Sequence, residues 1–225
     1  MACPERRTRP PLPWHDPTFR PAGGFTLIEV LVTIVVLVFG ILGVIGMQTL
    51  ASANEFESYQ RGQALAMARD MQARLQSSRG VLAGYLNPGI SSADGSVYFG
   101  NGTGATNFAD SSGNCPAPVA GDPLSEAKAQ ICAWGVDLQG AAAKEGANAV
   151  GAMAGARGCV IQVTPPQLNA LADLYVVIVW QGITKRADPL PDSAAGQCAS
   201  DVDFGAGLRR GVSVRVLVPD LHKSS

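Results

Sequence analysis

Residues 30–47, VLVTIVVLVFGILGVIGM, form an 18-residue run with no charge and no proline. That length just meets what an α-helix needs to cross the hydrocarbon core of a bilayer. The run limits what the chain can fold into, because a helix apolar all round has to be covered by something. One carboxylate, Glu29, stands immediately in front of it, where a charge is costly and therefore usually functional. Before the acid comes a basic, proline-rich segment ending in Gly23-Gly24-Phe25. A membrane helix accounts for the run, but for neither the acid nor the Gly-Gly-Phe junction.

The junction Gly24-Phe25-Thr26-Leu27-Ile28-Glu29 with its apolar continuation resembles the class III signal of type IV pilins and type II secretion pseudopilins. In that family a prepilin peptidase cuts after the glycine on the cytoplasmic side and methylates the new N-terminus. The resemblance implies a cut between Gly24 and Phe25, methylation of Phe25, and an assembly role for Glu29. It implies as partners the peptidase/methyltransferase, other minor pilins, the major pilin, a large tip adhesin, and the inner membrane before assembly. The competing reading is an ordinary signal anchor with a chance glutamate.

Charge argues against nucleic acid as a partner. Four arginines (Arg6, Arg7, Arg9, Arg20) and two acids (Glu5, Asp16) lie in residues 1–24. Removing them takes 17 basic and 18 acidic residues to 13 and 16, a net charge of −3. Nucleic-acid binders show a clustered basic face instead. With 47% apolar residues the chain is not a disordered one; 26 glycines and only 6% aromatics fit a loop-rich extracellular domain.

Cys3 has no apolar region upstream, so a lipoprotein signal fails on geometry, and Cys3 would leave with the leader. The remaining Cys115, Cys132, Cys159 and Cys198 are an even set in a part of the chain expected in the oxidising periplasm, which favours two disulfides. Three pairings are open, and spacing does not choose among them. We expect Cys115–Cys132 with Cys159–Cys198, each ring worth roughly 3–4 kcal/mol in the chain-entropy model. Spacings of 17, 27 and 39, without a C-x-x-C or a nearby histidine, argue against zinc. No cofactor and no metal are expected.

In chain order, residues 1–24 lack the apolar core of a Sec-type signal, and their arginines hold them in the cytoplasm. Six prolines, Pro4 to Pro21, forbid a helix there. From Phe25 to Arg79 neither a proline nor a turn cluster intervenes, so one helix of 55 residues, about 80 Å, is expected. Phe56, Ala64, Met67, Met71 and Leu75 are spaced to share one side of it, and Arg61, Arg69, Arg74 and Arg79 point elsewhere. Gly40, Gly43 and Gly46 recur in its apolar half, as a surface for close helix contact, as a weak point that unwinds, or as mere tolerance.

Residues 80–121 read as loops: Asn87-Pro-Gly, Asp94-Gly, Gly100-Asn-Gly-Thr-Gly and Ser111-Ser-Gly-Asn are turn chemistry, with a short strand at Val97-Tyr-Phe. Gly100–Gly104 is no phosphate loop, because no lysine or strand-to-helix context follows. Asp122-Pro123 reads as an N-cap with proline in the first turn, opening a helix to about Leu138. Leu124, Ala127, Ile131, Trp134 and Leu138 make its core stripe. Residues 141–158 carry no assignable pattern. Three strands follow, Cys159–Thr164, Leu174–Gly182 and Arg209–Val218, expected as an antiparallel meander on the long helix.

The fold class is therefore α+β, a type IV pilin-like long helix packed on a small antiparallel sheet with loop-rich insertions. The expected divisions are 1–24 cleaved leader, 25–50 membrane and filament-core helix, 51–80 amphipathic helix, and 81–225 globular head. Cys159-Val-Ile-Gln-Val-Thr, Val177-Ile-Val-Trp-Gln-Gly, Gly196-Gln-Cys and the helix segment Tyr59–Arg74 resemble the minor pilins known as type IV pilus modification protein PilV. That resemblance implies a minor pilin at or near the pilus tip, supporting pilus assembly, adhesion and twitching motility. It also implies a single-pass inner-membrane protein with a periplasmic C-terminal domain before assembly. The alternatives are a minor pseudopilin of type II secretion and, below it, a dedicated adhesin. An enzyme is not expected: beyond the leader the one histidine is His222, and Asp70, Asp173 and Asp188 read as solvated or turn residues.

Overall fold

The computed structural model describes residues 23–77, 79–102, 104–110, 112–140, 144–145, 148–149, 153–164 and 170–219. The leader arginines and prolines, Cys3, most of 141–152, Pro165-Pro166 and His222 lie outside the described residues. The chain divides into two compact units at Gln48/Thr49, and α1 (Leu27–Ser77) carries the sequence across that division.

Helix α1 starts where Thr26 caps it. The Thr26 hydroxyl accepts from the Glu29 amide at 3.3 Å, and the Thr26 carbonyl accepts from the amides of Glu29 and Val30. This is the threonine half of a T-x-x-E capping box, which satisfies donors a helix start leaves orphaned. Gly23 to Phe25 stay outside the helix, so it begins two residues later than the unbroken pattern predicts.

In the second unit α1 buries Gln60, Ala64, Ala68, Met71 and Leu75. The expected stripe needs two changes. Phe56 is half-exposed, and Gln60 takes its place one turn on, because the Trp180 indole donates to Gln60 Oε1 at 3.2 Å. Ala68 lies at the centre of the buried face, with Met67 at its border. A period counted on large apolar residues passes over both a satisfied glutamine and a small alanine.

After α1 the chain is helical for longer than expected, through a 3-10 turn at Arg79–Val81 and α2 (Leu82–Tyr85), which bury Val81, Leu82 and Tyr85. Two short strands follow, β1 (Ser91–Ser92) and β2 (Phe99–Gly100), and then α3 (Pro123–Leu138). Helix α3 runs as the sequence predicts: Asp122 accepts from the Leu124 amide and Pro123 fills the first turn. Its Trp134 is 1% exposed and donates its indole N–H to the Met67 carbonyl at 3.2 Å. A Cβ at Gly158 would lie 2.3 Å from that indole ring, so glycine there lets tryptophan lie against the sheet. The pair β3 (Lys144–Glu145) and β4 (Asn148–Ala149) forms a separate two-stranded ladder.

The main sheet holds β5 (Arg157–Gln162), β6 (Ala170–Gln181) and β7 (Arg209–Pro219) as an antiparallel meander, with Gly158 opposite Ile178 and Leu174 opposite Val216. It is a mixed sheet, not a purely antiparallel one. β1 adds to β5 in parallel (Ser91 opposite Val160) and β2 adds antiparallel (Phe99 opposite Gly158). Ser91-Ser92 lacks the β-branched, alternating signal of a strand, and its place follows from the tertiary fold.

Because β side chains alternate, each central strand serves two cores. Val160, Leu174, Val176, Ile178, Trp180, Val212 and Val216 pack with α1, α2 and α3. Cys159, Ile161, Val177 and Val179 face the other way and pack with Tyr98, Cys198, Ala199 and Phe204. That second core is covered by the segment after β6, which includes α4 (Ala194–Gln197). Asp188 holds the segment by accepting from the amides of Gly207 and Arg209 at 3.1 and 3.0 Å. The Arg209 guanidinium donates to carbonyls of Ala195, Cys198, Ala199 and Val202.

Asp173 corrects the sequence reading of the acids. It is 2% exposed, and Arg215 grips it with Nε at 3.0 Å and a second nitrogen at 2.6 Å. Asp70 pairs with Arg74 one turn along α1, at the surface as expected, and Asp188 is a turn residue.

Candidate functional site

The residues with predicted processing and assembly roles lie together at the N-terminal end of α1. Gly23 and Gly24 are exposed outside the helix, and a Cβ at either would meet no heavy atom within 4 Å. Phe25 is 82% exposed, Thr26 caps, and Glu29 stands in the first turn with its side chain in the open. A carboxylate in that turn is favoured by the positive end of the helix dipole.

Thr26 is the residue the motif reading passed over. Its signal was in plain view, since T-x-x-E before an apolar run is a helix-start signature. Beyond the cap, the large apolar residues from Leu27 to Leu50 are all at least 45% exposed, Val35 the least and Leu27, at 84%, the most. The segment qualifies as a membrane-crossing helix by length and apolarity. Added Cβ atoms at Gly40, Gly43 and Gly46 would meet nothing within 4 Å, so nothing packed in this unit dictates glycine there.

Residues 19–45 match the family model of the prokaryotic N-terminal methylation motif. The chain carries that motif. Its presence supports the type IV pilin and pseudopilin superfamily and a substrate of prepilin peptidase. The motif and the apolar helix behind it together fit a membrane anchor. No curated protein and no solved structure matches the chain.

Behind the motif, the four cysteines come together as Cys115–Cys132 and Cys159–Cys198, with Cα atoms 5.5 and 5.8 Å apart. The first ties the 112–121 loop to α3, and the second ties β5 to the end of α4. Among the described residues no group of three or more His, Cys, Asp or Glu gathers as a metal would require.

One polar cluster had no sequence signal, because Glu57 lies more than 120 residues from its partners. Glu57 of α1 accepts from the Thr184 amide at 3.0 Å and from the Thr184 hydroxyl. It also meets Arg186 at 3.1 Å and Arg210 at 3.3 Å. Burial acts to raise the Glu57 pKa, but the Thr184 donors and the two guanidiniums outweigh it and hold the carboxyl below the usual glutamate range. The cluster joins the start of the second unit's helix to the end of β6 and the start of β7.

Proposed function

We propose that the chain is a minor type IV pilin of the PilV type, made as a membrane-anchored precursor and incorporated into the pilus near its tip. In this reading residues 1–24 are the leader, 25–50 serve first as membrane anchor and then as filament core, 51–80 form the amphipathic half of the helix, and 81–225 the head. The peptidase hydrolyses the Gly24–Phe25 bond and methylates the Phe25 amine. Supporting the cut is the uncapped, exposed Gly23-Gly24 backbone just ahead of a helix that begins on its own capping residue.

The observation that carries the reading is the acid at the start of an otherwise uncovered apolar helix. A filament that covers Val30–Leu50 also covers Glu29, and an unpaired buried carboxylate costs several kcal/mol. Cleavage creates the matching cation, the amine of Phe25. On its own helix that amine is repelled by the positive end of the dipole, so the pair relieves two electrostatic costs at once. Glu29 meeting the Phe25 amine of a neighbouring subunit fixes the axial register between them. Other minor pilins and the major pilin are the partners, with a tip adhesin beyond them; adhesion and twitching motility follow from pilus assembly.

The test is a deletion strain scored separately for surface pili and for protein secretion. Loss of pili with secretion intact is the expected outcome. Loss of secretion with pili intact assigns the chain to a type II secretion pseudopilus instead.

A further inference from the structure

Beside the Glu57 cluster lies a cavity of about 190 Å³ lined by Asn54, Ser58, Arg61, Trp180, Arg186 and Arg210, with Glu57 on its wall. Three guanidiniums face one carboxylate, so the lining carries two positive charges in excess. They are not equally engaged. Arg210 is 14% exposed and gives hydrogen bonds to Glu57 and to carbonyls of Thr184, Gly207 and Arg209, while its buried Nε has no partner among the described residues. Arg186 holds Glu57 and donates to Asn54 Oδ1 at 2.8 Å, yet is 57% exposed. Arg61 is exposed and makes no hydrogen bond or ion pair among the described residues.

This is a preorganised cationic pocket with donors left over. Glu57 pins two of the guanidiniums, so little side-chain entropy remains to be lost when a second acceptor arrives. The pocket is open to solvent on one side, and a carboxylate side chain can enter it to meet the guanidiniums. Planar bidentate capture of carboxylate is what guanidinium does best.

We propose that Arg61, Arg186 and Arg210 form a clamp for an aspartate or glutamate side chain of a neighbouring subunit. The inference rests on the reading that the chain enters a filament. Its lining residues Asn54 to Arg61 follow within two to four turns of the point where the apolar segment ends, at Gln48. Subunits that cover one another's apolar segments bring the next stretch of α1 within reach of a neighbour. The clamp supplies a charge contact there that is distinct from the Glu29 pair, and that selects neighbours by where they carry an acid.

The test places a photo-crosslinking residue at Ser58, which lines the cavity from an exposed position and leaves all three arginines intact. A second strain carries the crosslinker at Val35 in the apolar half. Both use the full chain, expressed in cells that assemble pili. The expected result is a Ser58 product mapping to a pilin segment that contains Asp or Glu. Arg61→Glu should reduce its yield about tenfold, and charge reversal of the identified acid should restore it. Crosslinks at Val35 with none at Ser58, or Ser58 products indifferent to Arg61→Glu, overturn the clamp and leave the filament reading standing. Absence of product at both positions overturns both.

Discussion

One helix carries two unlike surfaces. From Leu27 to Gln48 the α1 side chains are exposed and almost wholly apolar, and within that unit nothing covers them. From Thr49 to Ser77 the same helix is mostly polar, and its narrow buried stripe of Gln60, Ala64, Ala68, Met71 and Leu75 is covered by the protein's own sheet and helices. Burying a large aliphatic side chain is worth about 1.5–3 kcal/mol. The second stretch collects that gain by folding, whereas the first collects it only from lipid or from other chains. Secondary structure is continuous across a boundary at which the source of stability changes.

That difference is open to attack from each side. The largest effect is expected in the head, where Trp134→Ala removes an indole packed against Gly158 and bonded to Met67. We expect a loss of about 4 kcal/mol in urea unfolding of the detergent-solubilised chain, with leader cleavage and membrane insertion unchanged. Equal loss of processing would mean that the two stretches are not independent. Val35→Arg strikes the other side, at a cost of about 3 kcal/mol for insertion. It should lower the membrane-bound fraction and leave the head's unfolding midpoint where it was.

The smallest effect concerns Glu57. Its folded pKa is depressed, so its contribution is fully present above the unfolded glutamate value of about 4.3 and fades as pH falls through the lower folded value. Denaturant titrations of wild type and Glu57→Gln should therefore differ at neutral pH and converge toward pH 3. Parallel curves over that range would mean that the carboxylate's charge plays no part in joining α1 to Thr184 and the two arginines.

What the sequence made legible followed from local physics. Helix α3 could be placed to its ends because Asp122 and Pro123 are chemical start signals. The three long strands announced themselves by β-branched runs, and the α+β class followed from them. The N-terminal methylation motif was legible in the sequence, though the capping role of Thr26 within it was passed over. What stayed hidden depended on partners far away in sequence. Asp173 looks like any exposed acid until Arg215 arrives from the next strand to grip it. Gln60 belongs to the core only because Trp180 is there to donate to it. Ser91-Ser92 becomes a strand only because β5 offers a free edge.

The central claim is that Glu29 is idle in the membrane and essential in the filament. Replacing Glu29 with Ala and measuring, in the same cells, the mature protein in the inner membrane and in sheared pili tests it directly. The account predicts a normal level of cleaved protein in the membrane and a drop of at least about tenfold in pili, since several kcal/mol of charge pairing is removed. Wild-type incorporation of Glu29→Ala would contradict it.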